Sequence, residues 1–146
     1  MMSIALMAFL PALCEETLFR GGLQNFLTRA TKSPWLSIII VSILFSAVHF
    51  SFWGFVPRIF LGIVLGALFH YSGKLWLSIL AHFINNALAI TVLYISTQQG
   101  KSLQEAMKQD ETSFWGILAL PLVIGLFGLF KKVSVRRRSF ETTNYK

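Results

Sequence analysis

Acidic side chains are scarce in this 146-residue chain: there are six, against thirteen basic ones. Charged residues of both signs make up 13%, about half the share a soluble domain carries, too few to cover a water-facing surface. Cysteine is scarcer still. Cys14 stands alone, which excludes an internal disulfide or a cysteine-based metal centre within one chain, and it reads as a small buried apolar residue. Internal repeats, low-complexity segments and a second domain are absent. No basic residue precedes the apolar start, and Pro11-Ala12-Leu13-Cys14 departs from a lipoprotein box, so residues 1–13 read as a retained helix and not as a cleaved signal.

What remains is apolar: 55% of the residues are hydrophobic, and they fall in runs long enough to cross a bilayer, which needs about 20 helical residues. Residues 35–53, 55–71, 75–95 and 114–130 read as spans. A fifth, residues 3–27, carries Glu15, Glu16 and Arg20 in its middle and counts as a span because its charges can pair internally. Short turn signals at Thr31-Lys32-Ser33-Pro34, residues 54–57 and Ser72-Gly73-Lys74 make successive helices antiparallel neighbours. The expected fold is all-α, a polytopic transmembrane bundle of about five spans. It is expected to be the C-terminal catalytic core of a larger bundle, with upstream transmembrane helices missing from it.

The net charge of +7 is concentrated at one end: after residue 130 there are six basic residues and one glutamate. A basic cluster beside an apolar helix marks the cytoplasmic side and favours anionic lipids; it does not read as a nucleic-acid surface. Residues 1–130 are therefore the membrane domain and residues 131–146 a basic cytoplasmic tail. Arg29, Lys32 and Lys74 then fall inside, and Arg58, Lys101 and Lys108 outside. Gly62-x-x-x-Gly66 reads as a small-residue face for close helix approach.

Ionisable residues at membrane depth are expensive and usually functional. Glu16 and Arg20, four apart, share a helix face and can neutralise each other, while Glu15 lies about 100° away around the helix. Phe45-x-x-x-His49 and His82-x-x-x-Asn86 each align two side chains on one face, so Phe45 packs beneath His49, and His82 and Asn86 present an imidazole and an amide together. Counted from the inner ends, Glu15 and His49 both lie roughly 20 Å up their helices. His82 comes out at roughly 10 Å and Asn86 at roughly 17 Å, so the helix carrying them must tilt or begin higher for His82 to join. Together these residues supply a base, an orienting imidazole and oxyanion donors.

The run Glu15-Glu16-Thr17-Leu18-Phe19-Arg20-Gly21-Gly22-Leu23, followed in order by Phe45-x-x-x-His49 and His82-x-x-x-Asn86, resembles the CPBP family of intramembrane proteases. That family includes type II CAAX prenyl endopeptidases and bacterial proteins linked to bacteriocin processing or self-immunity. The resemblance implies an intramembrane endopeptidase in the cytoplasmic membrane of a bacterium, acting on a peptide or protein substrate at the membrane. It implies that Glu15 and His49 activate the attacking water, that His82 and Asn86 stabilise the oxyanion, and that Glu16 and Arg20 support the site or the substrate. Members have been called metalloproteases, and Glu15, His49 and His82 could hold a zinc ion with a water in the open position. Without a His-Glu-x-x-His helix the metal is not favoured. Two rival expectations are a non-catalytic immunity or scaffold protein that binds a peptide in the same cavity, and a transporter fragment using the carboxylates as a proton relay, against which the lack of an inverted repeat counts.

Overall fold

A computed structural model describes residues 2–50, 52 and 54–100, residues 2–5 through their backbone alone. Among them every regular element is helical. The chain begins with α1 (Met2–Glu16), passes without a break into a π-helical segment (Thr17–Gln24) and leaves it as α2 (Asn25–Thr31). Backbone angles at Glu16 and Asn25 are right-handed helical, so the three pieces form one rod. Three helices follow: α3 (Pro34–Ala47), α4 (Phe55–Ser72) and α5 (Leu75–Gln98).

Local chemistry sets the ends. Lys32 stops α2 in the left-handed conformation (φ 55°). Ser33 then caps α3, its hydroxyl accepting from Leu36 N–H, with Pro34 in the first turn where no N–H is missed. Gly73 (φ 66°) closes α4 and donates back to the Phe69 carbonyl, a conformation glycine adopts without a Cβ penalty. α3 stops earlier than its apolar run. His49 turns its ring back onto the Phe45 carbonyl, and the backbone tightens into three-residue closures from His49 to Ser46 and from Phe50 to Ala47. The expected span of residues 35–53 therefore ends at Ala47, and His49 sits in the turn beyond it.

α4 and α5 are long and apolar enough to cross a membrane. Only 22% and 11% of their most apolar windows are buried within the protein, unlike the core helix of a soluble domain, so their outer faces suit lipid. α3 is shorter, and the first rod is divided among three elements and carries charge. About five spans is thus more than the described residues bear out; the expected span at residues 114–130 and the tail at 131–146 lie outside them. Exposed Phe50 and Phe52 stand at one end of α3, and Trp35 packs edge-on to Tyr71 at the other, with ring centroids 6.4 Å apart, an aromatic pattern expected at bilayer interfaces.

α3 packs most extensively on α4, α1 on α5, and the π segment meets α3, α4 and α5. The Gly62 and Gly66 face is used for this. A side chain at Gly62 would bring its Cβ within 2.9 Å of Ser42 Cβ and 3.0 Å of Ser42 Cα on α3. Because the second of these is backbone, Gly62→Ala is expected to push α3 and α4 apart and cost about 1–3 kcal/mol. Thermal unfolding in detergent checks this, and an unchanged midpoint refutes it. Cys14, expected inside, is exposed on α1, because the buried face there is made by Ala8, Ala12 and Glu16.

Candidate active site

Glu16 and Arg20 are both wholly buried where α1 passes into the π segment. Arg20 Nη1 lies 2.9 Å from Glu16 Oε1, Nη2 donates to the Gly62 carbonyl at 3.1 Å, and the guanidinium carbon stands 4.7 Å from the centre of the Phe45 ring. One turn on, Gln24 Nε2 donates to the Gly66 carbonyl at 3.0 Å. Two donors four residues apart thus meet two carbonyls four residues apart. The π segment makes this matching natural, since closure from each residue to the fifth widens the turn and keeps residues four apart closer to one line than the 3.6-residue turn does.

The expected Glu16–Arg20 pair has a third member. His82 Nδ1 is 2.9 Å from the same Glu16 Oε1, and since a carboxylate only accepts, Nδ1 carries the hydrogen and donates it. His82 therefore reaches the site despite the depth count. The reason is visible at its helix start: Leu75 Cδ2 lies 3.4 Å from where a Cβ on Gly21 would stand, so α5 begins level with the π segment, higher up the rod than the turn after α2.

Glu15, with a side chain 27% exposed, turns away from that pair. Its Oε2 has no hydrogen-bond partner, and it stands 3.8 Å from His49 Nε2 and 3.8 Å from His82 Nε2. Two imidazole nitrogens from different elements thus converge on one carboxylate oxygen. His49 Nδ1 lies 2.7 Å from the Phe45 carbonyl oxygen, which can only accept; Nδ1 thus holds the hydrogen, and in the neutral ring Nε2 offers a lone pair toward Glu15. Phe45 is the floor beneath both rings, 4.9 Å from His49 and 5.6 Å from His82 between centroids, and Phe19 meets it edge-on.

Asn86 is one turn farther along α5. Its Nδ2 donates to the Ala8 carbonyl of α1 at 3.4 Å, which places it beside the cluster without direct contact to Glu15. Serines that the sequence reading passed over hold the frame. Ser46, next to Phe45, donates to the Phe55 carbonyl at 2.6 Å, and Ser78, one turn before His82, donates to the Leu65 carbonyl at 3.1 Å. For Ser78 the spacing of four from His82 on α5, for Ser46 its place beside Phe45, and for both their apolar neighbours are the signals that could have found them.

The zinc expectation is tested by these separations. Ligands about 2.0–2.1 Å from a tetrahedral ion stand about 3.4 Å from one another. Here each imidazole nitrogen is 3.8 Å from the carboxylate oxygen, and among the described residues no group of three His, Cys, Asp or Glu side chains meets the geometry of a metal site. As they stand, both imidazole nitrogens are set about 0.4 Å wider of the carboxylate than a tetrahedral zinc site asks. The 3.8 Å between Glu15 Oε2 and His49 Nε2 is a separation that a single water can bridge at about 2.8 Å to each.

Compared with protein families, residues 1–88 match the family described as type II CAAX prenyl endopeptidase Rce1-like. The matched stretch holds all three motifs and covers more than half of the chain. No curated protein and no solved structure matches.

Proposed function

Since this chain belongs to the Rce1-like family of type II CAAX prenyl endopeptidases, a family of membrane-embedded proteases, we propose that it hydrolyses a peptide bond at the membrane with a water activated by Glu15 and His49. The observation that carries this is the partnerless Glu15 Oε2 between two imidazole nitrogens. A water placed there donates one hydrogen to Glu15 and the other to His49 Nε2, which turns its oxygen lone pairs toward the substrate carbonyl. Glu15 takes the proton as the carbon–oxygen bond forms, then passes it to the departing amine nitrogen as the carbon–nitrogen bond breaks.

The oxyanion formed in between needs donors aimed at it. His82, whose Nδ1 hydrogen is held by Glu16, turns Nε2 toward the reacting centre, and protonated it donates there. Asn86 has a second N–H beyond the one given to Ala8 and is the other donor. Preorganised donors of this kind are each worth about 10²–10³ in rate. Glu16 and Arg20 hold His82 in place. In this reading residues 131–146 form a cytoplasmic tail on anionic lipid, and the chain sits in a bacterial cytoplasmic membrane.

The test is cleavage of a farnesylated peptide ending in a cysteine, two aliphatic residues and methionine, by the purified chain in detergent. Cleavage on the carboxyl side of the cysteine is expected, with the rate unchanged by a chelator because no step runs through a metal. Binding of the peptide with no cleavage sinks the proteolytic assignment and favours a binding or immunity role. Loss of cleavage on chelation, restored by zinc, sinks the metal-free mechanism.

A further inference from the structure

Pro11 lies within α1, one turn before Glu15. Proline has no N–H, so the carbonyl oxygen of Met7, four residues earlier, lacks its regular helical donor. In a membrane such a group must find another partner. At this level of α1 the side chain reaching across from α5 is Asn86, and it goes to the adjacent carbonyl, Ala8. Met7 is 67% exposed and Pro11 is exposed, whereas Ala8, Ala12 and Glu16 form the face against α5. Met7, Pro11 and Glu15 are spaced by four, so they climb the open side of α1 in one row that drifts by about 40° per step.

Distances along that row suit an extended chain. Met7 and Glu15 are separated by about 12 Å of helical rise. The Met7 carbonyl points down the axis toward Pro11, while the glutamate side chain leans back up it. Their oxygens are therefore spanned by two or three extended residues at about 3.3 Å each.

We propose that the Met7 carbonyl, freed by Pro11, accepts a backbone N–H of the bound peptide two or three residues from the scissile bond. The contact rests on the proteolytic reading and adds a docking point to it: α1 supplies the catalytic base through one residue and a main-chain acceptor through another. A peptide stripped of water in the membrane carries N–H groups that require such an acceptor, and a main-chain carbonyl recognises backbone without selecting a side chain.

The experiment uses the farnesylated peptide above and copies each N-methylated at one backbone nitrogen. Affinity is measured on the Glu15→Gln chain and kcat/KM on the otherwise native one. One N-methylated copy is expected to bind, and to be cleaved, about tenfold less well, the worth of one hydrogen bond. Pro11→Ala supplies the missing N–H to Met7 and improves the helix. It should therefore raise or preserve the melting temperature while weakening the parent peptide to the same extent, with no further loss for the sensitive copy. Losses that multiply, an undiminished parent peptide in Pro11→Ala, or no binding of any peptide overturn the proposal. Sensitive binding without cleavage by the native chain sinks proteolysis alone, and cleavage indifferent to N-methylation sinks the Met7 contact alone.

Discussion

Glu15→Gln is expected to lower kcat by about three orders of magnitude, the middle of the range a positioned general base contributes, while leaving the fold and peptide affinity near their original values. The substitution keeps the size of the side chain and an oxygen acceptor. It removes the ability to take a proton. Glu15 Oε2 makes no hydrogen bond to the protein and Glu15 is partly exposed, so no hydrogen bond of the fold is lost with its charge. The measurement is single-turnover cleavage beside thermal unfolding. A Glu15→Gln chain that retains activity removes Glu15 from the chemistry, and one that fails to fold shows the residue to be a structural anchor.

Arg20→Met has the opposite signature. Glu16 and Arg20 are both 0% exposed, and taking away the cation strands a carboxylate among Phe45, His82 and the helices around them. Breaking a buried pair from one side costs about 3–5 kcal/mol, enough to unfold a marginal membrane domain. The double variant Arg20→Met with Glu16→Gln leaves no unpaired charge and should recover most of that loss, since the two sites share one bond network and cannot be additive. Activity should stay low in the double variant, because an amide in place of the Glu16 carboxylate no longer holds His82 Nδ1 with a charge-assisted bond. Equal stability of the single and double variants would show that the pair carries no such coupling.

Much of the site could be read from spacing alone. Glu16 and Arg20 pair as the interval of four demands, and Phe45 lies beneath His49 though His49 has left the helix, because its ring caps the last turn at the same interval. Two things could not be read. The depth of His82 depends on where α5 starts against the first rod, a tertiary matter decided by Leu75 meeting Gly21. The binding of His82 to Glu16 follows from that height, and residue intervals within one helix say nothing of it. The outward place of Cys14 is illegible for a related reason: a helix in lipid has no polar face to mark which side is outward. Lipid also hides the length of α3, since its apolar run continues past the last helical turn.

The π segment places two tasks on one rod under a common timing. Residues before it present Glu15 and Glu16 to α5, and residues within it present Arg20 and Gln24 to α4. Winding the same eight residues as an ordinary α-helix would turn each of them farther about the axis, and so rotate one half of the rod against the other. Glu15 and Glu16 could then face the imidazoles, or Arg20 and Gln24 could face the glycine carbonyls, but not both. The wide turn acts as a phase shifter between catalysis and assembly, so a change that tightened it at full length would be as damaging as the loss of a catalytic residue, although it removes no reacting group.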